Sequence, residues 1–284
     1  MKNNSQWAQI GLILVAIIWG GTFVLVKGAL NDAPPFSFTS LRFGLATTLT
    51  LIFINKKIFS LTKYEFIGGL ICSFLLFSGY SFQNFGLMET TASKSAFITS
   101  ISVIMVPFIL VILKMQIISI RTWIAAFLAT SGLYLLLILG ENKLNLGDLL
   151  TFGCALSFAL HIIAQDVYIK KGIRLLPFFF VQSGFVTLFS LINAQITESH
   201  TIIWSNRLIL AVLITGILAT FFAILIMIWA QKILKPTETA LIFSLEPVAA
   251  TLFAVVLGGE ILGLWGWVGG SLICLAVAYG RDSD

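Results

Sequence analysis

Charge is what this chain lacks most. Only 10% of its 284 residues are Asp, Glu, Lys or Arg, where a soluble domain carries about 25%. Seventeen cations and twelve anions cannot clothe a water-facing surface without leaving the large apolar patches that soluble monomers avoid. A water-soluble globular protein is excluded. Histidine is almost absent, with two residues, and no HExxH pair or acidic cluster offers metal ligands. Cys72, Cys154 and Cys274 lie singly in apolar runs, where thiols pack as small hydrophobes; their spacing gives no disulfide framework. Neither a Gly-x-Ser-x-Gly elbow nor an ATP-binding loop occurs, so catalysis by a serine nucleophile and ATP-driven pumping by this chain alone are unsupported. The net charge of +5 is spread over many loops and makes no nucleic-acid footprint. No enzyme, metal or cofactor is expected.

Apolar residues are abundant instead: 58% of the chain, with a mean hydropathy of +1.02. At about 20 residues per crossing, ten helices use most of the length. Apolar runs between turn and charge signals predict spans near 8–26, 35–54, 65–86, 92–113, 122–139, 148–168, 176–195, 208–230, 237–257 and 262–280. The first run is too long for a signal-peptide core and is read as the first span. With a cytoplasmic amino terminus, twelve cations fall on the inner side: Lys2, Lys56, Lys57, Lys63, Lys114, Arg121, Lys170, Lys171, Arg174, Lys232, Lys235 and Arg281. Lys27, Lys94, Lys143 and Arg207 fall outside, and Arg42 within a span. The positive-inside rule therefore places both termini in the cytoplasm. Trp7, Trp123 and Trp229 at inner ends, and Trp204, Trp265 and Trp267 at outer ends, make an interfacial belt. Trp19 alone is mid-span.

A shift of 144 residues aligns Ser95–Leu135 with Thr239–Tyr279 without a gap, matching Ser100 to Ser244 and Trp123 to Trp267. Duplication explains this better than shared hydrophobicity. The expected fold is an all-α membrane protein of ten transmembrane helices, built as two inverted five-helix repeats over 1–142 and 143–284, because an odd number of spans inserts the second copy the other way up. Such copies can rock between inward-open and outward-open forms.

The segments WGGTF in span 1, LRFGLA in span 2, GDLLTFGCALSFALH opening the second half, and SLEPVAATLFAVVLGGEILGLWGWVGG in spans 9 and 10 together resemble the ten-helix EamA-type exporters of the drug/metabolite transporter superfamily. The resemblance covers nearly the whole chain. It implies a two-repeat bundle around a central cavity, in a plasma (inner) membrane, exporting amino acids, other small metabolites or toxic compounds. The first half departs where Lys114, Met115 and Gln116 stand against Gly258, Gly259 and Glu260, which argues against a shared acid there.

Polar residues inside spans mark candidate solute contacts. Ser95, Thr99 and Ser102 share one face of span 4, and the 144 shift turns them into Thr239, Phe243 and Glu246. A carboxylate at mid-depth costs several kcal/mol unless it meets a partner or water; desolvation there favours its protonated form. Glu246 is thus the leading candidate for contacting solute or carrying a proton. Its alternative is a neutral group bonded to nearby backbone, since Pro247 frees the Phe243 carbonyl and can kink the span. Ser157, His161 and Gln165 share a face of span 6. His161 serves equally as a solute or protonation site or as a packed, hydrogen-bonded residue, and Asp166 suits an ion pair with Lys170. Arg42 lies about 10 Å into span 2, within snorkelling reach of the outer interface; that reading is preferred to solute binding, with pairing to an acid left open. Trp19 and Thr22, flanking Gly20 and Gly21, suit either stacking on a solute or close helix crossing. Tyr80, Gln83 and Asn84 are placed near a cavity entrance, and Gln182 suits a helix–helix hydrogen bond.

The first functional expectation is therefore a secondary transporter of a small organic solute. An intramembrane enzyme, and a lipid-moving or scaffold protein, are its competitors. Expected partners are the solute and membrane lipid, with no nucleic acid, the chain being monomer or homodimer.

Overall fold

The computed structural model describes residues 2–53, 60–137, 145–198, 201–258 and 263–280. Lys56, Lys57, Lys143, His200, Gly259, Glu260 and Arg281 lie outside them. Described residues form helices and connections, with no strand among them. The helices are α1 (Lys2–Ala29), α2 (Pro35–Phe53), α3 (Lys63–Glu89), α4 (Ala92–Ser100), α5 (Ser102–Ile112), α6 (Ile120–Leu137), α7 (Leu146–Ile169), α8 (Leu175–Thr197), α9 (Asn206–Leu213), α10 (Ala223–Gln231), α11 (Pro236–Phe243), α12 (Glu246–Gly258) and α13 (Leu264–Gly280). A π-helical stretch, Ile214–Phe222, joins α9 to α10. Taking α4 with α5, α9 with α10 and α11 with α12 gives ten rods at the ten expected positions. Among the described residues seven helical segments are long and apolar enough to cross a membrane, while α6 and α13 are shorter apolar helices.

The burial pattern is inside out relative to a soluble protein. Phe127, Ile196 and Val256 are at least 70% exposed, whereas Arg42, His161, Asn84 and Gln182 are buried. Apolar side chains facing outward suit lipid, and the polar groups they displace are collected in the bundle interior. Trp7, Trp204, Trp265 and Trp267 are exposed, as the interfacial belt requires.

Helix ends are fixed by local chemistry. Thr62 and Glu65 form a reciprocal capping box at α3, with Thr62 N–H donating to Glu65 Oε2 at 2.8 Å and Glu65 N–H to Thr62 Oγ1 at 3.2 Å. Asn145 and Asp148 do the same at α7. The Glu198 carboxylate, beyond α8, accepts the backbone N–H groups of Phe36 and Ser37 at 2.6 and 2.9 Å, so it caps the start of α2 with the favourable charge. Close crossings use small residues: a Cβ on Gly147 would lie 2.7 Å from the Gly86 carbonyl oxygen, so only glycine lets α7 start so near the end of α3.

Packing repeats itself between the halves. Exchange α1 with α7, α2 with α8, α3 with the α9–α10 rod, α4–α5 with α11–α12, and α6 with α13, and neighbours map onto neighbours. Thus α3 lies on α7 as α1 lies on the α9–α10 rod; α3 lies on α8 as the π stretch lies on α2; α1 lies on α12 as α7 lies on α4 and α5. The pairs α2–α8 and α6–α13 map onto themselves, and α4–α12 maps onto α5–α11.

Two local features obey the same exchange. The break between α4 and α5 at Ile101 recurs 144 residues later at Leu245 between α11 and α12. Both contain a tightened turn, Ile101 N–H to Ile98 O and Leu245 N–H to Ile242 O, each 3.1 Å. The preceding serines bond back, Ser100 Oγ to Ala96 O at 3.0 Å and Ser244 Oγ to Leu241 O at 2.6 Å. Pro247, which has no N–H to return to Phe243, stands just past the second break. Asp32, in the turn after α1, pairs with Arg207 at the start of the α9–α10 rod through two bonds of 2.8 and 2.7 Å. Arg174, in the turn after α7, pairs with Glu65 at the start of α3 through two bonds of 2.7 Å. The second clasp is the first with its charges exchanged.

Candidate functional site

A cavity lies at the centre of the bundle, walled by α1, α2, α3, α4, α5, α7, α10, α11 and α12. It is narrow, with about 50 Å³ open to the centre of a water molecule, where one water needs about 10–15 Å³. That volume suits a few water molecules, and an organic solute requires the cavity to widen.

Its wall follows the duplication. Trp19, Thr22 and Phe23 on α1 are answered, at a constant offset of 139, by Phe158, His161 and Ile162 on α7. Tyr80 and Gln83 on α3 are answered, at 144, by Ile224 and Met227 on α10, and Thr99 and Ser102 by Phe243 and Glu246. Aromatic pairs join the halves: Trp19 and Phe243 have ring centroids 4.9 Å apart, Tyr80 and Phe158 5.2 Å.

Arg42, Leu76 and Ser100 have no counterpart in the wall, and among the paired positions only Glu246 is an acid or a base of full charge. Glu246 opens α12 at the second helix break, where the first half has the neutral Ser102. It is 8% exposed, lines the cavity, and its carboxyl makes neither hydrogen bond nor ion pair with a described residue. Arg42 on α2 has no counterpart in the wall, to which α8 contributes nothing. It does not snorkel outward as expected from its depth. The side chain is 2% exposed, because Nε–H donates to Thr220 Oγ1 at 2.9 Å and the guanidinium carbon stands 4.5 Å from the Tyr80 ring centroid. Cation–π contact and one hydrogen bond hold it inward; no carboxylate pairs with it among the described residues.

The other walls are fixed by hydrogen bonds. Trp19 Nε1–H donates to Ala219 O at 2.7 Å, in the π stretch. Thr22 Oγ1 donates to Trp19 O at 2.7 Å, and Thr99 Oγ1 lies 3.8 Å from Cys154 Sγ. His161 Nε2 meets Gln182 Oε1 at 3.0 Å; the amide oxygen only accepts, so the ring nitrogen carries the proton. The chain continues from Gln182 Nε2 to Gln165 Oε1, from Gln165 Nε2 to Gln231 Oε1, and from Gln231 Nε2 to Ile162 O. Every link runs in one donor direction.

Of the sequence-predicted residues, the cavity gathers Trp19, Thr22, Tyr80, Gln83, Thr99, Ser102, His161 and Glu246. Ser95 is buried outside it, 3.5 Å from Thr151 Oγ1, and Gln165 is committed to the glutamine chain. Asn84 donates to Thr39 Oγ1 at 2.9 Å, and Ser157 to Gly153 O at 2.8 Å. Asp166 pairs with Lys170 at 2.6 Å, as expected. The sequence reading did not propose Phe23, Arg42, Leu76, Ser100, Phe158, Ile162, Ile224, Met227 and Phe243 as solute contacts, although they line the wall. Carrying the repeat offsets from the predicted residues of α1, α3 and α4 would have found Phe158, Ile224, Met227 and Phe243.

A helical bundle with lipid-facing apolar sides, two repeats and a polar cavity between them defines a multi-pass integral membrane protein of the transporter type. The chain belongs to the EamA-like transporter family, whose model matches twice, over residues 6–138 and 145–279. It is 36% identical over 271 residues to an "uncharacterized transporter" of Archaeoglobus fulgidus, spanning 95% of this chain and 84% of that one. It is 26% identical to the "uncharacterized transporter YoaV" of Bacillus subtilis, over 95% and 94% of the two chains. A solved crystal structure shares the fold at a TM-score of 0.79 and 16% identity, covering 99% of this chain and 98% of that one.

Proposed function

We propose that the protein is a secondary transporter exporting a small organic metabolite across the plasma (inner) membrane by alternating access. In this reading the ten rods are ten spans in two repeats of opposite orientation, and both termini are cytoplasmic. The observation that carries it is a central cavity whose wall is drawn from both repeats at constant sequence offsets. A site shared by two equivalent halves faces either side when one half rocks against the other. Because the halves are equivalent in packing, the two forms are close in energy.

Glu246 is the proposed proton carrier and solute contact. Around it stand Arg42 from α2, Tyr80 from α3 and His161 from α7, with Cys154 of α7 within electrostatic range. A carboxyl without a hydrogen bond or ion pair to a described residue can accept a proton or a solute cation in turn, which is the competition that couples outward solute movement to inward proton movement. The test is counterflow of radiolabelled solutes in liposomes holding the purified full chain. Glu246→Gln is expected to abolish acceleration by an imposed pH gradient while the protein keeps its thermal unfolding profile. Transport indifferent to pH in the unmodified protein would remove the proton-carrier role.

A further inference from the structure

We infer that a second cavity, between α1, α11 and α13, is a lipid site that receives the ammonium head of a phosphatidylethanolamine on Gln9 and its acyl chain along α13. It rests on the chain being an integral membrane protein and is independent of the transport reading. Three observations carry it.

First, the cavity holds an acceptor with nothing to accept. Gln9 on α1 is 6% exposed, and its Oε1 is buried without a hydrogen-bond partner. It shares the wall with Ile13, Glu238, Leu241 and Leu245 and with Cys274 and Ala278 of α13. An amide oxygen only accepts, and leaving one desolvated and unpaired is costly. The space is ample: about 270 Å³ is open to the centre of a water molecule, against about 50 Å³ in the central cavity.

Second, the repeat shows which donor is missing. The offset of 139 that relates α1 to α7 carries Gln9 onto Asp148, and the offset of 144 carries Thr90 and Lys94 onto Leu234 and Glu238. In the first half the Lys94 ammonium donates to Asp148 at 2.7 Å and the Thr90 hydroxyl at 2.8 Å, fastening α4 onto α7. The second half has neither donor at the matching positions, the ammonium giving way to an acid and the hydroxyl to an isobutyl group. An ammonium supplied from outside the chain would stand where that of Lys94 stands in the other half, with an acid in the wall to balance its charge.

Third, the way in is from the bilayer. Cys274 and Ala278 are exposed on α13, an apolar helix whose outward residues, such as Leu275 and Trp267, face lipid. Cys274 also lines an adjoining cavity between α12 and α13, with Val248, Leu252 and Leu275, so an apolar furrow continues along α13 away from Gln9. The polar end of the furrow lies at the bundle end that carries the exposed belt residue Trp7 and the turn from Lys232 to Lys235. A polar head at the interface and a chain laid inward is the disposition of a phospholipid. Of the common heads, a primary ammonium has N–H bonds to give and the trimethylammonium of choline has none; the hydroxyls of a glycerol head come with a net negative charge, which Glu238 opposes.

The test uses the purified, delipidated full chain in detergent, with dioleoyl phosphatidylethanolamine, phosphatidylcholine or phosphatidylglycerol added. Bound lipid is counted by native mass spectrometry, and stability is read by thermal unfolding. Phosphatidylethanolamine is expected to be held about 10- to 100-fold more tightly than phosphatidylcholine, the difference one charge-assisted bond makes, and to raise the unfolding temperature more. This comparison is made on the unmodified protein and decides the matter without a variant. Gln9→Leu should bring the two lipids level, and because it removes a stranded acceptor it should fold at least as well without lipid. Ala278→Phe, at an exposed position, should narrow the entrance and lower retention of phosphatidylethanolamine. If either other lipid is held as tightly as phosphatidylethanolamine, or if either variant leaves its retention unaltered, the inference is overturned. None of these measurements involves solute movement, so that failure leaves the transport reading standing, and a failure of counterflow leaves this one standing.

Discussion

Gly20 of α1 lies against the first turn of α12 so closely that a Cβ there would stand 2.5 Å from the Glu246 carbonyl oxygen and 2.8 Å from the Ala250 nitrogen. Both atoms are backbone, so neither can swing aside. Gly20→Ala is therefore expected to push α12 off α1, costing about 1–3 kcal/mol as core overpacking does, and to displace Glu246 from the cavity. Thermal unfolding in detergent and counterflow should both fall. Gly184→Ala is the control: its nearest neighbour would be Thr47 Cγ2 at 3.8 Å, an ordinary contact, and its stability should be unchanged or slightly higher.

The clasp between Asp32 and Arg207 makes an acid-sensitive contribution. Hydrogen bonds from Arg207, joined by that of Ser205, hold the Asp32 carboxyl below the usual aspartate range. A carboxyl with a depressed native value stabilises the fold above its unfolded value, near 4, and loses that contribution as pH falls through the native one. Asp32→Asn should therefore unfold at a lower temperature than the unmodified protein at pH 7, and the gap should close as the medium is acidified below about pH 4. A gap that stays constant across this range would assign the effect to packing alone.

How far the sequence could be read depended on whether a residue's partners were near it in the chain. Glu246 was legible because an acid in an apolar run stands out and its aligned mate, Ser102, lies on an already polar face. The ten rods and the Asp166–Lys170 pair are likewise local. Arg42 was misread because depth along α2 says nothing of which way the helix faces; its hydrogen-bond partner, Thr220, is 178 residues away. Gln165 sits on the helical face of His161, as its spacing indicated, but its donor bond goes to Gln231 on α10, a contact no periodicity on α7 reveals.

The glutamine chain behind His161 is expected to be a stabilising unit rather than a solute contact. Gln182 accepts from His161 and donates to Gln165, so Gln182→Leu would strand one donor and one acceptor in a buried setting, at about 1–3 kcal/mol for each unsatisfied group. The variant should unfold earlier. Adding His161→Phe should cost less than the sum of the two single changes, because the stranded imidazole N–H is removed. Additive losses would show that the two residues act independently.

Trp19 ties α1 to the π stretch, and the irregular helix explains why it can. At the end of that stretch the Ala223 N–H reaches back to Leu218 O rather than to Ala219 O, and the Ala219 carbonyl takes the Trp19 indole proton at 2.7 Å. Trp19→Phe keeps an aromatic ring against Phe243 but has no N–H to give. It should lower stability by about 1–3 kcal/mol, the cost of depriving a buried carbonyl of its bond. Trp204→Phe, at a residue 62% exposed, should leave the unfolding temperature nearly unchanged. If the two variants unfold together, the indole bond contributes nothing to holding the π stretch, and its irregular register would be set by packing against α2 instead. Amide exchange across Ile214–Phe222 distinguishes the cases: loss of the indole donor should speed exchange there in Trp19→Phe and leave it unaltered in Trp204→Phe.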